Sequence, residues 1–255
     1  MADFFISDLH LDADRPASTE IFLHFLEERI DSGDRLFILG DLFEAWIGDD
    51  DDDNWLSPVR QGIAALSARN ASVAFMHGNR DFLIGPTFAA ATGTHLLDEY
   101  ETITLQGERV LLTHGDLLCT DDLRYMTLRA QLRDPAWQAN FLGKSLQERR
   151  EIAKQLRNLS REEMADKSES IMDVNQATVN QVMQRFKART LIHGHTHRQN
   201  THVWQLDGQQ ATRIVLADWY STGSYLVWDL TGPRSVSLTD TSSTSSASSS
   251  SAEDA

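Results

Sequence analysis

The stretch Arg35-Leu36-Phe37-Ile38-Leu39-Gly40-Asp41 decides the fold: an apolar run that reads as a buried strand stops at a glycine followed by an acid. A carboxylate just past the end of a buried strand is placed to meet an ion, which makes Asp41 the first candidate ligand. Four other stretches repeat the pattern. Phe4-Phe5-Ile6-Ser7 leads to Asp8 and His10, and Val73-Ala74-Phe75-Met76-His77-Gly78 leads to Asn79-Arg80-Asp81. Val110-Leu111-Leu112-Thr113 leads to His114-Gly115-Asp116, and Leu191-Ile192-His193-Gly194 leads to His195-Thr196-His197. Strand ends that each drop Asp, Asn or His into a loop imply one shared polar site at the carboxyl edge of an α/β sheet.

Outward from these strands, apolar residues at Ile21, Phe22, Phe25, Leu26 and Ile30 have helical spacing over 20–30, and Ser32-Gly33-Asp34 ends that helix. Further helices are predicted over 55–69 and 86–92, and a strand over 72–77. Residues 101–105 and 109–113 alternate across Gln106-Gly107-Glu108, the pattern of an antiparallel hairpin. From 121 to 189 helical periodicity dominates, notably over 149–159 and 170–186, so this run reads as a helical insertion standing over the strand ends. Strands resume over 190–192, 201–206, 213–217 and 224–230, which would complete a second sheet. Residues 240–255 hold eight serines and no large apolar residue, the composition of a disordered segment. The expected division is therefore a core of 1–120 and 190–234, a helical cap of 121–189 and a tail of 235–255.

The 255 residues suffice for one domain with an insertion. No run of about 18 apolar residues is present to span a bilayer, and the chain begins directly with a strand, so a cytosolic protein is expected. The lone cysteine, Cys119, fits a reducing compartment and reads as a small buried hydrophobe. A formal net charge of −15 argues against general affinity for nucleic acid. The charge is uneven: residues 124–161 carry nine Lys/Arg against three Asp/Glu, which suggests a face that handles anions. The acid run Asp49 to Asp53 reads as a solvated loop.

Asp8, His10, Asp41, Asn79, His114, His195 and His197 exceed what one ion uses and suit two ions sharing a bridge. Oxygen and imidazole donors without thiolate point to Mn, Fe, Zn or Mg. Asp8-x-His10 and His195-x-His197 can each aim two side chains at one ion where the backbone turns sharply. The remaining His24, His77, His95 and His202 read as structural.

In order and context, Asp8-x-His10, Gly40-Asp41, Gly78-Asn79, His114-Gly115 and Gly194-His195-x-His197 resemble the motif blocks of the calcineurin-like metallophosphoesterase family, over nearly all of residues 1–230. The stretches Gly40-Asp41-Leu42-Phe43-Glu44-Ala45-Trp46-Ile47-Gly48-Asp49, His77-Gly78-Asn79-Arg80-Asp81-Phe82-Leu83, Leu118-Cys119-Thr120-Asp121-Asp122 and Ile171-Met172-Asp173-Val174-Asn175-Gln176 are similar to one branch of it. Members of that branch hydrolyse the pyrophosphate of UDP-2,3-diacylglucosamine in lipid A synthesis. The resemblance implies a β-sandwich flanked by helices and two Mn2+ ions bridged by Asp41, one held by Asp8, His10 and His197, the other by Asn79, His114 and His195. It also implies catalytic roles for Asp41, Asn79, Arg80, His114 and His195, and substrate contacts from Asn79, Arg80, Asp122, Ser160, Met164, Lys167 and His195.

Two positions depart from wider patterns. Many members of the wider family have a histidine where this chain has Arg80, and an arginine clamps phosphate well but donates protons poorly. That favours a pyrophosphate, whose leaving phosphate needs less help than an alkoxide; Asp81 is expected to hold Arg80 in place. Close relatives commonly have asparagine where this chain has Met164, which removes one side-chain hydrogen bond to the sugar. Leu128, Leu132, Trp137, Phe141, Leu142, Leu146, Ile152 and Leu156 could line an acyl-chain slot or be plain helix-packing core. Together with the basic segment they suggest peripheral attachment to a membrane surface; the expected setting is a monomer on the cytoplasmic face of the inner membrane. Two other readings stay open: another dinuclear phosphoesterase, and a non-catalytic scaffold, which should show gaps in a ligand set that here has none.

Overall fold

The computed structural model describes residues 1–165, 173–220 and 222–238, the side chains of 160–165 excepted. Its first sheet has β1 (Asp3–Ile6), β2 (Arg35–Ile38), β3 (Ser72–Phe75) and β4 (Thr94–Leu96) all parallel, linked by helices α1 (Pro16–Arg29), α2 (Leu56–Ala68) and α3 (Pro86–Thr92). The second holds the hairpin β5 (Glu101–Leu105) and β6 (Glu108–Leu112), then β7 (Thr190–His193), with β9 (Gln209–Val215) parallel to β7 and β8 (Asn200–Leu206) at the edge. The last strands, β10 (Ser224–Asp229) and β11 (Gly232–Ser237), return to the first sheet, where β10 pairs antiparallel with β1.

Continuous apolar strands follow from burial on both faces, because alternate residues point to opposite sides. Phe4, Ile6, Leu36 and Ile38 pack with Phe22, Phe25, Val59 and Ile63 under the helices. Their neighbours Phe5, Phe37 and Leu39 meet Val110, Leu112, Ile192 and Ile214 between the sheets. On the far side, Leu111 and Leu191 pack against Val179 and Met183 of α7 (Gln176–Phe186). The architecture is a mixed α/β sandwich of two sheets with helices outside.

Several details differ from expectation. β10 does not complete the second sheet, since pairing with β1 buries Leu226 and Trp228 in the inter-sheet core. The short β4 and β11 were not foreseen: three residues of β4 carry too little pattern, and β11 holds Pro233, tolerated at a sheet edge. Because β11 runs through Ser237, the boundary expected at 235 falls inside a strand. Helix α1 starts at Pro16, earlier than expected, since proline suits the first helical turn. No strand interrupts the described residues between 121 and 189, where α4 (Leu123–Leu132), α5 (Pro135–Leu142) and α6 (Leu146–Ala165) precede α7. Yet α7 is an outer layer of the second sheet and does not stand over the strand ends.

Candidate metal centre

Each candidate ligand leaves the carboxyl end of a strand. The loops after β1 and β2 run in register, with Asp8 N–H donating to Gly40 O (3.1 Å) and His10 N–H to Asp41 O (3.0 Å). A second crossing joins the sheets, where His195 N–H donates to Asp8 Oδ2 at 2.8 Å, and within the second sheet Gly194 N–H donates to His114 O at 2.8 Å. Asp8, His10, Asp41, His195 and His197 all have positive φ, between 49° and 68°. Such backbone is costly for side-chain-bearing residues, of order 1–3 kcal/mol each, and its concentration here marks a site the rest of the fold must sustain. Two glycines make the approach possible: a Cβ on Gly78 would lie 2.2 Å from Asp41 Oδ1, and one on Gly194 2.2 Å from Asp8 Oδ2.

The structure brings all seven candidates together. His197 Nε2 lies 3.3 Å from both Asp8 Oδ1 and His10 Nε2, and His10 Nε2 is 3.8 Å from Asp41 Oδ2. Across Asp41, His114 Nε2 is 3.8 Å from Oδ1, and Asn79 Oδ1 sits 3.0 Å from His114 Nε2 and 2.8 Å from His195 Nδ1. Burial works to raise the Asp8 carboxyl, but His197, His114 and His10 overcome it and hold it well below the usual carboxylate range. Burial, with His114 beside it, pushes His195 down to about 4, so its ring stays neutral near pH 7 as a ligand requires.

A family model described as calcineurin-like phosphoesterase matches residues 4–199. The chain belongs to this family. Among relatives of this phosphoesterase, the UDP-2,3-diacylglucosamine hydrolase of Histophilus somni (strain 2336) is 46% identical over 223 residues, covering 88% of this chain and 94% of its own. That of Xanthomonas oryzae pv. oryzae (strain PXO99A) is 47% identical over 239 residues, 91% of this chain and 97% of its own.

Calcineurin-like phosphoesterases imply a divalent metal, and the donor chemistry here fits one. A carbonyl or carboxylate only accepts, so the ring nitrogen that faces it carries the proton. His114 Nδ1 faces Leu39 O at 2.8 Å and His10 Nδ1 faces Glu44 Oε2 at 3.0 Å, which leaves both Nε2 lone pairs aimed inward. The His114 Nε2 lone pair then meets an amide oxygen, an acceptor against an acceptor that a cation between them resolves. The atoms of Asp8, His10 and His197 lie within 4.8 Å of one another, as do those of Asp8, Asp41 and His114.

Other expected residues stand differently. Asp81 does not hold Arg80: it is wholly buried and accepts N–H bonds from Gly78 (2.9 Å), Asp41 (3.2 Å), Leu42 (2.7 Å) and Phe43 (3.4 Å). Arg80 instead donates its backbone N–H to Asp41 Oδ1 at 2.8 Å and leaves its guanidinium half-buried, with Nε unbonded among the described residues. Asp122 caps α4 by accepting from Tyr125 N–H at 3.0 Å. Ser160, Met164 and Lys167 lie outside the described side chains. Cys119 is buried, which pushes its thiol up to about 12 and keeps it a neutral thiol near pH 7, as expected of a small buried hydrophobe.

The acid run is not simply solvated. Asp49 accepts from Trp46 Nε1 and from Gly85 and Phe88 N–H at the start of α3, while Asp50 forks onto the buried Arg149 guanidinium (2.7 and 2.5 Å). Asp51 pairs with Arg150 at 2.7 Å, and Asp12 with Arg157 at 3.2 Å. Much of the basic segment thus neutralises the acidic body. Phe141 is core, and Trp137, Leu146 and Ile152 pack beside it, whereas Leu123, Leu142 and Leu159 are exposed.

Asp116 is a participant the ligand pattern left out. Burial opposes its charge, but His114, Arg129 and His195 hold its carboxyl below the usual range. Its place two residues after His114, at the same strand end, was the available signal.

Proposed function

We propose that this phosphoesterase hydrolyses the pyrophosphate bond of UDP-2,3-diacylglucosamine, releasing UMP and 2,3-diacylglucosamine 1-phosphate, with two Mn2+ ions in its metal centre. The observation that carries the reading is near full-length likeness to UDP-2,3-diacylglucosamine hydrolases in a chain whose ligand set is complete. Asp8, His10 and His197 would hold one ion, Asn79, His114 and His195 the other, with Asp41 between them. Two such ions lower the pKa of bound water toward neutrality and stabilise charge on phosphoryl oxygens.

The chain's own residues do the remaining work. Arg80, beside the centre with a permanent charge and a fork of donors, clamps the pyrophosphate and offsets charge on the departing nucleotide phosphate. Its inability to give up a proton costs little for a leaving group that is already a weak base. Asn79 and His195 would touch both ion and substrate, and Asp122, Ser160, Met164 and Lys167 the nucleotide and sugar. Among the described residues no helix is long and apolar enough to cross a membrane. The exposed Leu123, Leu142 and Leu159 support peripheral attachment to a membrane surface, where a diacylated substrate would be met; the chain would act there as a monomer on the cytoplasmic face of the inner membrane.

The test is hydrolysis of UDP-2,3-diacylglucosamine in detergent, following UMP, with Asp41→Ala as control. Release that requires Mn2+ and vanishes in the variant is expected. Metal-dependent cleavage of a generic aryl phosphodiester without UMP release would move the substrate elsewhere within the family.

A further inference from the structure

No side chain of helix α4 is fully buried, and none of its residues joins the apolar clusters of the core. An amphipathic helix is ordinarily held by an apolar face, so something else must fix this one. Arg133 lies over the Phe82 ring at 5.2 Å, and the hydrogen bonds and ion pairs that α4 makes to the body converge. Tyr125 Oη donates to Asp116 Oδ2 at 2.8 Å and Arg129 Nε to the same oxygen at 2.7 Å, while Arg129 also pairs with Glu99. One turn on, Arg133 Nη2 donates to Gly78 O at 2.9 Å, and its Nη1 lies 3.6 Å from Glu99 Oε1.

The receiving groups are not scattered. Asp116 follows His114 by two residues, and Gly78 immediately precedes Asn79. The Tyr125 ring lies over His195, with centroids 5.8 Å apart and planes inclined by 37°. These are the three ligands assigned to one ion. Among the described contacts, none from α4 reaches Asp8, His10 or His197.

We infer that α4 is a polar clamp, with Tyr125, Arg129 and Arg133 as positioning residues that set the Asn79, His114 and His195 half of the metal centre and leave the other half untouched. The inference rests on the two-ion reading above. Arg133 fixes the carbonyl that aims Asn79, Arg129 and Tyr125 hold the Asp116 carboxylate that anchors the loop after His114, and the Tyr125 ring limits how far His195 can turn. The cap thereby couples to the affinity of one ion. Partners of metal ligands contribute in this way, with losses of about 10- to 100-fold in affinity on removal.

Binding of Mn2+ alone, measured by titration calorimetry and by the electron paramagnetic resonance of free and bound ion, tests the clamp without reference to activity. Wild-type protein should take up two ions; uptake of one would overturn the two-ion reading, and the clamp with it. His10→Ala leaves the clamped half as the stronger site, and there Arg129→Met or Arg133→Met should weaken the remaining ion by about 10- to 100-fold. In a His114→Ala background the same changes should leave the remaining ion's affinity unaltered. Tyr125→Phe, which removes one hydroxyl and keeps the ring, repeats the comparison in a chain that retains its fold, and Arg129→Lys should restore part of the loss. Equal weakening in both backgrounds would reduce the clamp to general loosening, and no weakening in either would remove it.

Discussion

On the two-ion reading proposed above, the two halves of the metal centre are built alike in ligands and differently in support. Asp8, His10 and His197 are braced by the body itself. Glu44 faces His10 Nδ1 at 3.0 Å, Tyr220 stacks on His10 at 5.1 Å between centroids, and Arg15 donates to His10 O at 3.2 Å while lying over the Tyr220 ring. Asn79, His114 and His195 are braced partly by Leu39 O and partly by the side chains of α4. One half belongs to the sandwich and the other is shared with the cap. The difference teaches that a cap helix that joins no apolar cluster, such as α4, can still be specified, provided its polar contacts land on a rigid, buried target such as Asp116.

The largest effect is expected where the halves are joined. Asp81 accepts N–H bonds from both the Gly78 and the Asp41 loops, so it serves each half at once. In Asp81→Asn one carboxylate oxygen becomes an amide that faces N–H donors. That leaves buried donors unmet and should lower stability by about 3 kcal/mol in a urea titration. Both ions should weaken together; loss of only one would place Asp81 within a single half and break the symmetry assumed for the joint.

The sandwich was legible because its strands are buried on both faces and read as apolar runs, and the gathering of the candidate ligands because each follows such a run. What was not legible is pairing in space. Asp81 is adjacent to Arg80 in sequence, which suggested an ion pair, but the turn at Gly78 aims the carboxylate back at the N–H groups of two loops. The return of β10 to β1 is a choice of partner that alternation does not encode, since Leu226 and Trp228 would be buried in either sheet. Likewise, Asp116 stood in plain view after His114, yet Tyr125 and Arg129 reach it from a helix whose docking angle no periodicity states. Charge was misread for a related reason: the basic segment and the acid run looked like two surfaces, and much of each is one interface.

A narrower change sharpens the contrast from the unclamped side. Glu44→Gln keeps the size of the side chain facing His10 Nδ1 but can present an amide donor, which favours the tautomer with its proton on Nε2, toward the ion. Affinity for the ion at Asp8, His10 and His197 should fall by about 10- to 100-fold, measured by Mn2+ titration in the His114→Ala background. A loss confined instead to the other ion would mean the halves are not separately supported.

The smallest effect is expected at a solvent-open contact between α6 and the unclamped half. Arg157 of α6 pairs with Asp12, two residues beyond His10, at 3.2 Å, and both side chains are 25% exposed. A pair this open to solvent contributes under about 1 kcal/mol and is screened by salt, so it tethers without positioning. Arg157→Met should therefore shift the thermal midpoint little and leave Mn2+ affinity in the His114→Ala background within twofold, roughly the effect of a pair at the low end of that range. The contrast with Arg129 is one of burial: its partner Asp116 is 2% exposed and also receives Tyr125, so water cannot replace the lost contact there as it can at Asp12. If Arg157→Met weakened that ion as strongly as Glu44→Gln, the cap would be holding both halves, and the division between a self-supported half and a clamped one would fail.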